Sequence, residues 1–284
     1  MLIYSNEVHD EERAFYGIKN AQLTGCTFGG SADGESALKE TSDLNIERCN
    51  FFLRYPLWHT NRAVINECLM TENCRAALWY DNDIKIEGSE LCGIKALREC
   101  KNIELSNCKI NSTEFGWFCH NIKVQNCQLT SEYPFLQCSE IEFNNLKMNA
   151  KYSFQYVQNA TFHNCELNTK DAFWHSKNVT VYGSVIKGEY LGWYSENLHL
   201  INCKIIGTQP LCYAKGLVLE NCEMEGCDLS FEKSDVTATV TGKIISVKNP
   251  VSGRIFADSI GEVIAENSDC KCKIEVNFSK CSCL

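Results

Sequence analysis

The chain has 284 residues, a formal net charge of −9, a hydrophobic fraction of 44% and four prolines. Phosphate binding needs clustered lysine and arginine, and no basic stripe recurs in this acidic sequence, so we expect no nucleic-acid partner. No apolar run approaches the ~20 residues of a transmembrane helix, so we expect no membrane partner.

The N-terminal segment, residues 1–16, precedes the regular pattern and lacks the apolar stretch of a signal peptide. We expect it to cap one end of a repeat structure, where its acidic side chains discourage end-to-end association. The 19 cysteines would suit a secreted disulfide scaffold. Without an export signal, a reduced cytoplasmic protein is the consistent expectation.

Residues 17–245 carry a repeat of 19 residues, which runs without insertion from Ser89 to Cys222. Two apolar columns lie two positions apart and predict a strand with one buried face. Their members include Ile84, Ile103, Ile122, Val179 and Leu198 in the first, and Ile86, Leu105, Val124, Val181 and Leu200 in the second. A third column contains Cys108, Cys127, Leu146, Cys165, Ser184, Cys203 and Cys222. These cysteines are expected to point inward as small hydrophobic residues.

Two asparagine columns mark the bends of each repeat, since asparagine tolerates left-handed backbone and its amide can bond to a neighbour. They contain Asn102, Asn121, Asn159, Asn178 and Asn197, and then Asn107, Asn126, Asn145, Asn164, Asn202 and Asn221. We expect stacked amides to form a hydrogen-bonded ladder. A further column of small residues, including Gly188 and Gly207, suits another tight corner.

These patterns predict an all-β fold, a right-handed single-stranded parallel β-helix with about 19 residues and three short strands per turn. A leucine-rich repeat is disfavoured, because Pro134 and Pro210 fall where its helix would be. A compact β-sandwich is the competing fold, and the regular register argues against it. The whole chain, 1–284, is expected to be one domain, with a C-terminal cap at 246–284.

The third segment of each turn carries an aromatic strip, in which the Trp column is expected to point outward by alternation, although a bend can leave it partly buried. Outward rings suit stacking on an extended saccharide or anchoring a protein partner. The alternative is that the rings stack on one another and cover the core. The predicted ligand-binding residues are Trp58, Trp79, Tyr80, Glu99, Trp117, Trp174, His175, Trp193 and Tyr194.

Two functional classes follow from this strip. The favoured one is a noncatalytic binding or structural solenoid. The alternative is a polysaccharide lyase or glycoside hydrolase that works near Lys39, Glu40, His59 and Arg98, where Glu40 and His59 would form an acid/base pair. Glu40 and Glu99 lie three turns apart, roughly 14 Å by strand spacing, which is too far for the paired carboxylates of a glycosidase.

The C-terminal cysteines Cys270, Cys272, Cys281 and Cys283 could gather around a hairpin as a tetrahedral zinc site. The competing interpretation is that these cysteines point inward, like the cysteines of the repeat. No other cofactor is expected.

Three motifs carry a resemblance: Glu12–Gly17 (ERAFYG), Asp33–Glu40 (DGESALKE) and Tyr55–His59 (YPLWH), together with the repeated Asn-Cys. Over nearly the whole chain the sequence resembles an uncharacterised bacterial family, the domain of unknown function 3737. The resemblance implies a single-domain right-handed β-helix without an established activity or cofactor. The fold is also similar to that of pectate lyases and polygalacturonases, but the sequence lacks their N-T-D, D-D and G-H-G motifs, so their chemistry does not carry over.

Overall fold

The computed structural model of the protein describes residues 1–266 and 270–277, and all regular secondary structure within them is β-strand. The chain divides into two compact units, Met1–Glu142 and Phe143–Leu284. Each unit is a stretch of parallel β-solenoid with about 19 residues per turn, as predicted. The right-handed sense stays a prediction.

Unit 1 begins at the first residues of the chain, because Leu2 pairs with Ala21 of the following turn. Its strands are β1 (Leu2–Ser5), β2 (Val8–His9), β3 (Lys19–Thr24), β4 (Thr27–Phe28), β5 (Ser42–Glu47), β6 (Asn50–Phe51), β7 (Asn61–Asn66), β8 (Leu69–Met70), β9 (Leu78–Trp79), β10 (Asn82–Glu87), β11 (Glu90–Cys92), β12 (Leu97–Arg98), β13 (Lys101–Ser106), β14 (Lys109–Asn111), β15 (Glu114–Phe115), β16 (His120–Gln125), β17 (Gln128–Thr130) and β18 (Tyr133–Pro134).

The boundary between the units falls within β19 (Ser139–Asn144). The strands of unit 2 are β20 (Lys147–Tyr152), β21 (Gln158–His163), β22 (Glu166–Lys170), β23 (Lys177–Tyr182), β24 (Val185–Lys187), β25 (Glu196–Ile201), β26 (Lys204–Ile206), β27 (Leu217–Glu225), β28 (Asp235–Lys248), β29 (Ser252–Ile264) and β30 (Lys273–Val276). From β27 onward the strands lengthen, and the short repeat gives way to long parallel ribbons.

The core consists of equivalent residues placed one above another. Ile84 pairs with Ile103, which pairs with Ile122, and each of these side chains is at most 1% exposed. In unit 2, Val179 pairs with Leu198 in the same way. The alternating pattern therefore predicted the buried face of the strands correctly.

The buried cysteines do more than fill space. The backbone N–H of Cys108 donates to Cys127 Sγ at 3.4 Å, and Cys165 N–H donates to Ser184 Oγ at 2.9 Å. Cysteine and serine interchange in this column because both accept a corner N–H from the preceding turn. Every cysteine in the described ranges has an unbridged thiol.

The asparagine bends have the predicted left-handed backbone, for example Asn102 with φ 56° and Asn178 with φ 54°. The predicted amide ladder forms as well. Asn178 Nδ2 donates to Asn159 Oδ1 at 3.0 Å, and Asn197 Nδ2 donates to Asn178 Oδ1 at 2.9 Å.

The third segment of each turn is less regular than the other two. In the later turns of unit 1 it forms two-residue strands, with β9 paired to β12 and β15 paired to β18, whereas around Trp58 it is a turn. Through the described part of unit 2 the same segment is a turn. The aromatic strip thus lies on a corner of the solenoid, not on a flat sheet.

Candidate functional site

The backbone of the third segment sets which rings face solvent. Leu57 and His59 both have positive φ, 64° and 59°, on either side of Trp58. Such a bend does not follow strand alternation, so Leu57 is buried, Trp58 is half-buried and His59 is exposed. All five tryptophans of the column are half-buried, and the next column carries the exposed rings.

In unit 1 the tryptophan faces are covered by their own neighbours. Lys39 Nζ lies 5.2 Å from the ring centroid of Trp58, which stacks on Trp79 at 4.9 Å. The Arg98 guanidinium then lies 5.4 Å from Trp79 and 5.1 Å from Trp117. In this run of cations and rings, neighbouring side chains cover part of each indole face.

The residues of the predicted acid/base site have other contacts. His59 stacks on Tyr80 with ring centroids 4.9 Å apart, and in the described part of the chain no ion pair joins it to Glu40. Arg98 contacts Glu99 at 3.5 Å and Glu114 at 3.8 Å. A lyase or hydrolase at Lys39, Glu40, His59 and Arg98 stays a prediction.

Unit 2 contains an open cleft on the same corner, with a volume of about 450 Å³. Its lining is mostly aromatic, with one carboxyl group and two amides. The lining residues are Tyr152, Gln155, Asp171, Trp174, Tyr190, Trp193 and Gln209.

The two indoles of the cleft are held apart. Trp193 Nε1 donates to the backbone oxygen of Gln209 at 2.8 Å, and Tyr190 packs edge-on against Trp193 at 5.3 Å. Trp174 instead contacts His175, and no ring contact links it to Trp193 within the described ranges. Unlike Trp58 and Trp79 in unit 1, these indoles leave a space between them.

Asp171 supplies the only carboxyl group in the cleft lining. Partial burial raises the pKa of this group, the positive charge of Lys170 opposes this rise, and the negative charge of Glu189 adds to it. The nearby cation, Lys170, pairs with Glu189 at 3.0 Å. Among the described residues, no side chain or backbone group donates a hydrogen bond to the Asp171 carboxylate.

A ladder of rings, exposed except for the half-buried Tyr213, lies beside the cleft and contains the other two predicted residues of unit 2. His175 stacks between Tyr156 and Tyr194, at 5.2 and 4.9 Å, and Tyr194 stacks on Tyr213 at 4.9 Å. His175 and Tyr194 therefore lie next to the cleft without lining it.

The sequence contains a signal for this cleft that the strip alone did not reveal. Tyr152, Asp171, Tyr190 and Gln209 form a column of their own at the repeat spacing, three positions before the tryptophans. In unit 1 the same column holds Lys95 and Glu114, which lie 3.7 Å apart, with Glu114 also near Arg98. At these two turns of unit 1 an ion pair occupies the column, whereas in unit 2 the same column lines the cleft.

The predicted zinc site lies partly outside the described residues, which exclude Cys281 and Cys283. Cys270 and Cys272 are half-buried and precede β30, and burial raises the pKa of the Cys272 thiol to about 11. Residues 1–266 and 270–277 contain no group of three or more histidine, cysteine, aspartate or glutamate side chains that could hold a metal ion.

The part of the chain that the structure describes contains no helix with the length and apolar character of a membrane span.

No curated protein matches the chain. Solved structures give distant similarities. PfbA, a surface adhesin of Streptococcus pneumoniae, is 12% identical with a TM-score of 0.36, covering 85% of this chain and 68% of that one. The periplasmic alginate epimerase AlgG is 8% identical with a TM-score of 0.35, covering 91% and 75%. QnrB1, a plasmid-mediated fluoroquinolone resistance protein, is 16% identical with a TM-score of 0.22, covering 71% and 81%.

These similarities are too distant to carry any function to this chain. A family model, in contrast, matches residues 2–277, nearly the whole sequence, and confirms the family predicted from the motifs. The chain therefore belongs to the family described as protein of unknown function DUF3737.

Proposed function

We propose that the protein is a noncatalytic binding solenoid that holds a saccharide in the cleft between Trp174 and Trp193. The separation of these two indoles is the observation that carries the proposal. In unit 1 the faces of the same column are covered by Lys39, Arg98 and neighbouring rings. In the unit 2 cleft no cation of the described residues lies over Trp174 or Trp193, and polar groups line the same space.

The chemistry of the lining suits a sugar ring. A pyranose has apolar C–H faces, which pack on indole and phenol rings, and hydroxyl groups, which need both donors and acceptors. Gln155 and Gln209 supply both, and Asp171 supplies an acceptor. The volume of about 450 Å³ falls in the usual range for small-molecule sites.

The ladder of Tyr156, His175, Tyr194 and the half-buried Tyr213 supports a ligand longer than one sugar. Its rings repeat at about 5 Å along the solenoid, from one turn to the next. A chain of sugars that enters the cleft would continue over this aromatic surface.

Isothermal titration calorimetry with neutral and charged oligosaccharides tests the proposal. We expect Trp193→Ala to weaken binding about tenfold, the loss of roughly 1.4 kcal/mol of stacking. Trp117→Ala is a matched control, since Trp117 Nε1 also donates to a backbone oxygen of the next turn, that of Tyr133, but its ring is covered by Arg98. Absence of heat with every saccharide, or equal weakening by the two variants, would overturn the proposal.

A further inference from the structure

We infer that the saccharide held in this cleft carries a positively charged amine, and that the Asp171 carboxylate is its counter-ion. The inference rests on the proposed function and narrows its ligand class to amino sugars with free ammonium groups.

The local charge favours a cation. Lys170, Asp171 and Glu189 together carry one net negative charge, and Lys170 is already paired with Glu189 at 3.0 Å. The charge of Lys170 also reaches Asp171, but Lys170 makes its ion pair with Glu189, and no group in the described chain donates a hydrogen bond to the Asp171 carboxylate. A neutral ligand that covered this group would remove water from it and give no charge in return, which is costly.

The aromatic walls act in the same direction, because the faces of tyrosine and tryptophan attract cations. Lys170 already illustrates this, with its Nζ 5.5 Å from the ring centroid of Tyr190. An ammonium group beside Asp171 would meet the carboxylate and the rings together.

The remaining polar groups favour a sugar amine over a tetraalkylammonium ion as the ligand. Gln155 and Gln209 would have no role with a tetraalkylammonium ion, which makes no hydrogen bonds. Trp174 Nε1 also has no hydrogen-bond partner among the described residues and is available to a hydroxyl group. A ligand with both hydroxyl groups and an ammonium group uses the whole lining.

The test compares three β-linked tetrasaccharides by calorimetry: glucosamine, N-acetylglucosamine and glucose. The measurements are made at about pH 6, below the pKa expected for a sugar amine by analogy with an α-amino group. We expect the glucosamine tetramer to bind about tenfold or more tightly than the other two, and the preference to shrink at high salt. Asp171→Asn, which keeps the shape of the side chain, should abolish the preference. Glu196→Gln, which removes a carboxylate paired with Lys177 outside the cleft, should leave it unchanged.

The outcomes separate the inference from the proposed function. Equal affinity for the three tetramers, or a preference that survives Asp171→Asn, overturns the inference while a saccharide site still stands. Binding of none of the three, nor of any other saccharide, removes both. Binding of tetramethylammonium with no binding of the glucosamine tetramer also overturns the inference, because the ligand would then be an ammonium ion without a sugar.

Discussion

The backbone N–H of Thr60 donates a hydrogen bond to Asp81 Oδ1 at 2.8 Å, joining two successive corners within unit 1. Asp81 is 1% exposed, and its other oxygen, Oδ2, is buried with no partner. Burial raises the pKa of this carboxyl group well above its ordinary value, and the neighbouring Cys100 thiol acts in the same direction. The folded protein therefore favours the neutral acid at this position.

Replacing Asp81 with serine should stabilise the protein at neutral pH. Ser234 already occupies the same column and accepts the N–H of Ala214 at 2.9 Å, so serine can keep the corner hydrogen bond. Removing the unsatisfied oxygen should gain about 1 kcal/mol in the free energy of unfolding, measured by urea denaturation at pH 7.

The pH dependence of this gain has a defined sign. The unfolded chain releases the Asp81 proton near pH 4, whereas the folded chain retains it to higher pH. The wild-type protein thus loses stability as the pH rises from about 4 toward the folded pKa, and Asp81→Ser does not share this loss. The gain should shrink as the pH falls to about 4. The exposed Asp43, whose pKa is lowered by hydrogen bonds from Arg62, serves as the control, and Asp43→Ser should give no gain.

Cys127 should tolerate serine better than valine. Its sulfur accepts the N–H of Cys108 at 3.4 Å and donates to the backbone oxygen of Gln125 at 3.3 Å. Serine can make both hydrogen bonds, whereas valine leaves the Cys108 N–H buried without an acceptor, at a cost of about 1–3 kcal/mol. Chemical denaturation of the two variants measures the difference. Equal stabilities would show that the thiol acts only by filling volume.

Asn178 should be sensitive to both backbone and side-chain changes. Its φ is 54°, and its amide is bonded on both sides, to Asn159 and Asn197. Asn178→Ala loses the ladder and strains the left-handed backbone, costing about 2–3 kcal/mol, whereas Asn178→Gly relieves the strain and should cost less. Thermal unfolding of the pair tests this order, and a glycine variant as unstable as the alanine variant would contradict it.

Gly207 and Gly226 allow a test of how much the close approach of two backbone segments requires glycine. Gly207 has φ 135°, and a Cβ built there would clash with the carbonyl oxygen of Gly188 one turn earlier. Gly226 has φ 66° and no atom within 4 Å of such a Cβ. We expect Gly207→Ala to cost more than about 3 kcal/mol or to prevent folding, and Gly226→Ala to cost about 1 kcal/mol. Circular dichroism and thermal melts measure both, and comparable losses would mean that the close approach is unimportant.

The strands and bends of the fold could be predicted because each column of the repeat contains similar residues. Residues such as Ile103 and Asn178 repeat with their neighbours because equivalent atoms lie one turn apart, so the sequence specifies the strands and the bends directly. The orientation of the tryptophans could not be derived in the same way. Positive φ at Leu57 and His59 breaks the alternation on which the expected outward column depended.

Predicting the cleft from the sequence would have required a comparison of the same column in the two units. Along the sequence, Asp171 lies 19 residues from Tyr152 and 19 residues from Tyr190. In three dimensions Asp171 lines one cleft together with Tyr152, Tyr190 and Gln209. The cleft stands out only by comparison with unit 1, where Lys95 and Glu114 of the same column form an ion pair. Packing at a corner depends on which side chains fill it, and periodicity alone does not report this.

Gln155 in unit 2 occupies the same position of the 19-residue repeat as Arg98 in unit 1. The Arg98 guanidinium lies over Trp79 and Trp117, whereas the shorter, uncharged Gln155 lines the open cleft. A substitution at a solvent-facing position of this corner can therefore change the surface that a turn presents while the buried columns that build the solenoid stay the same.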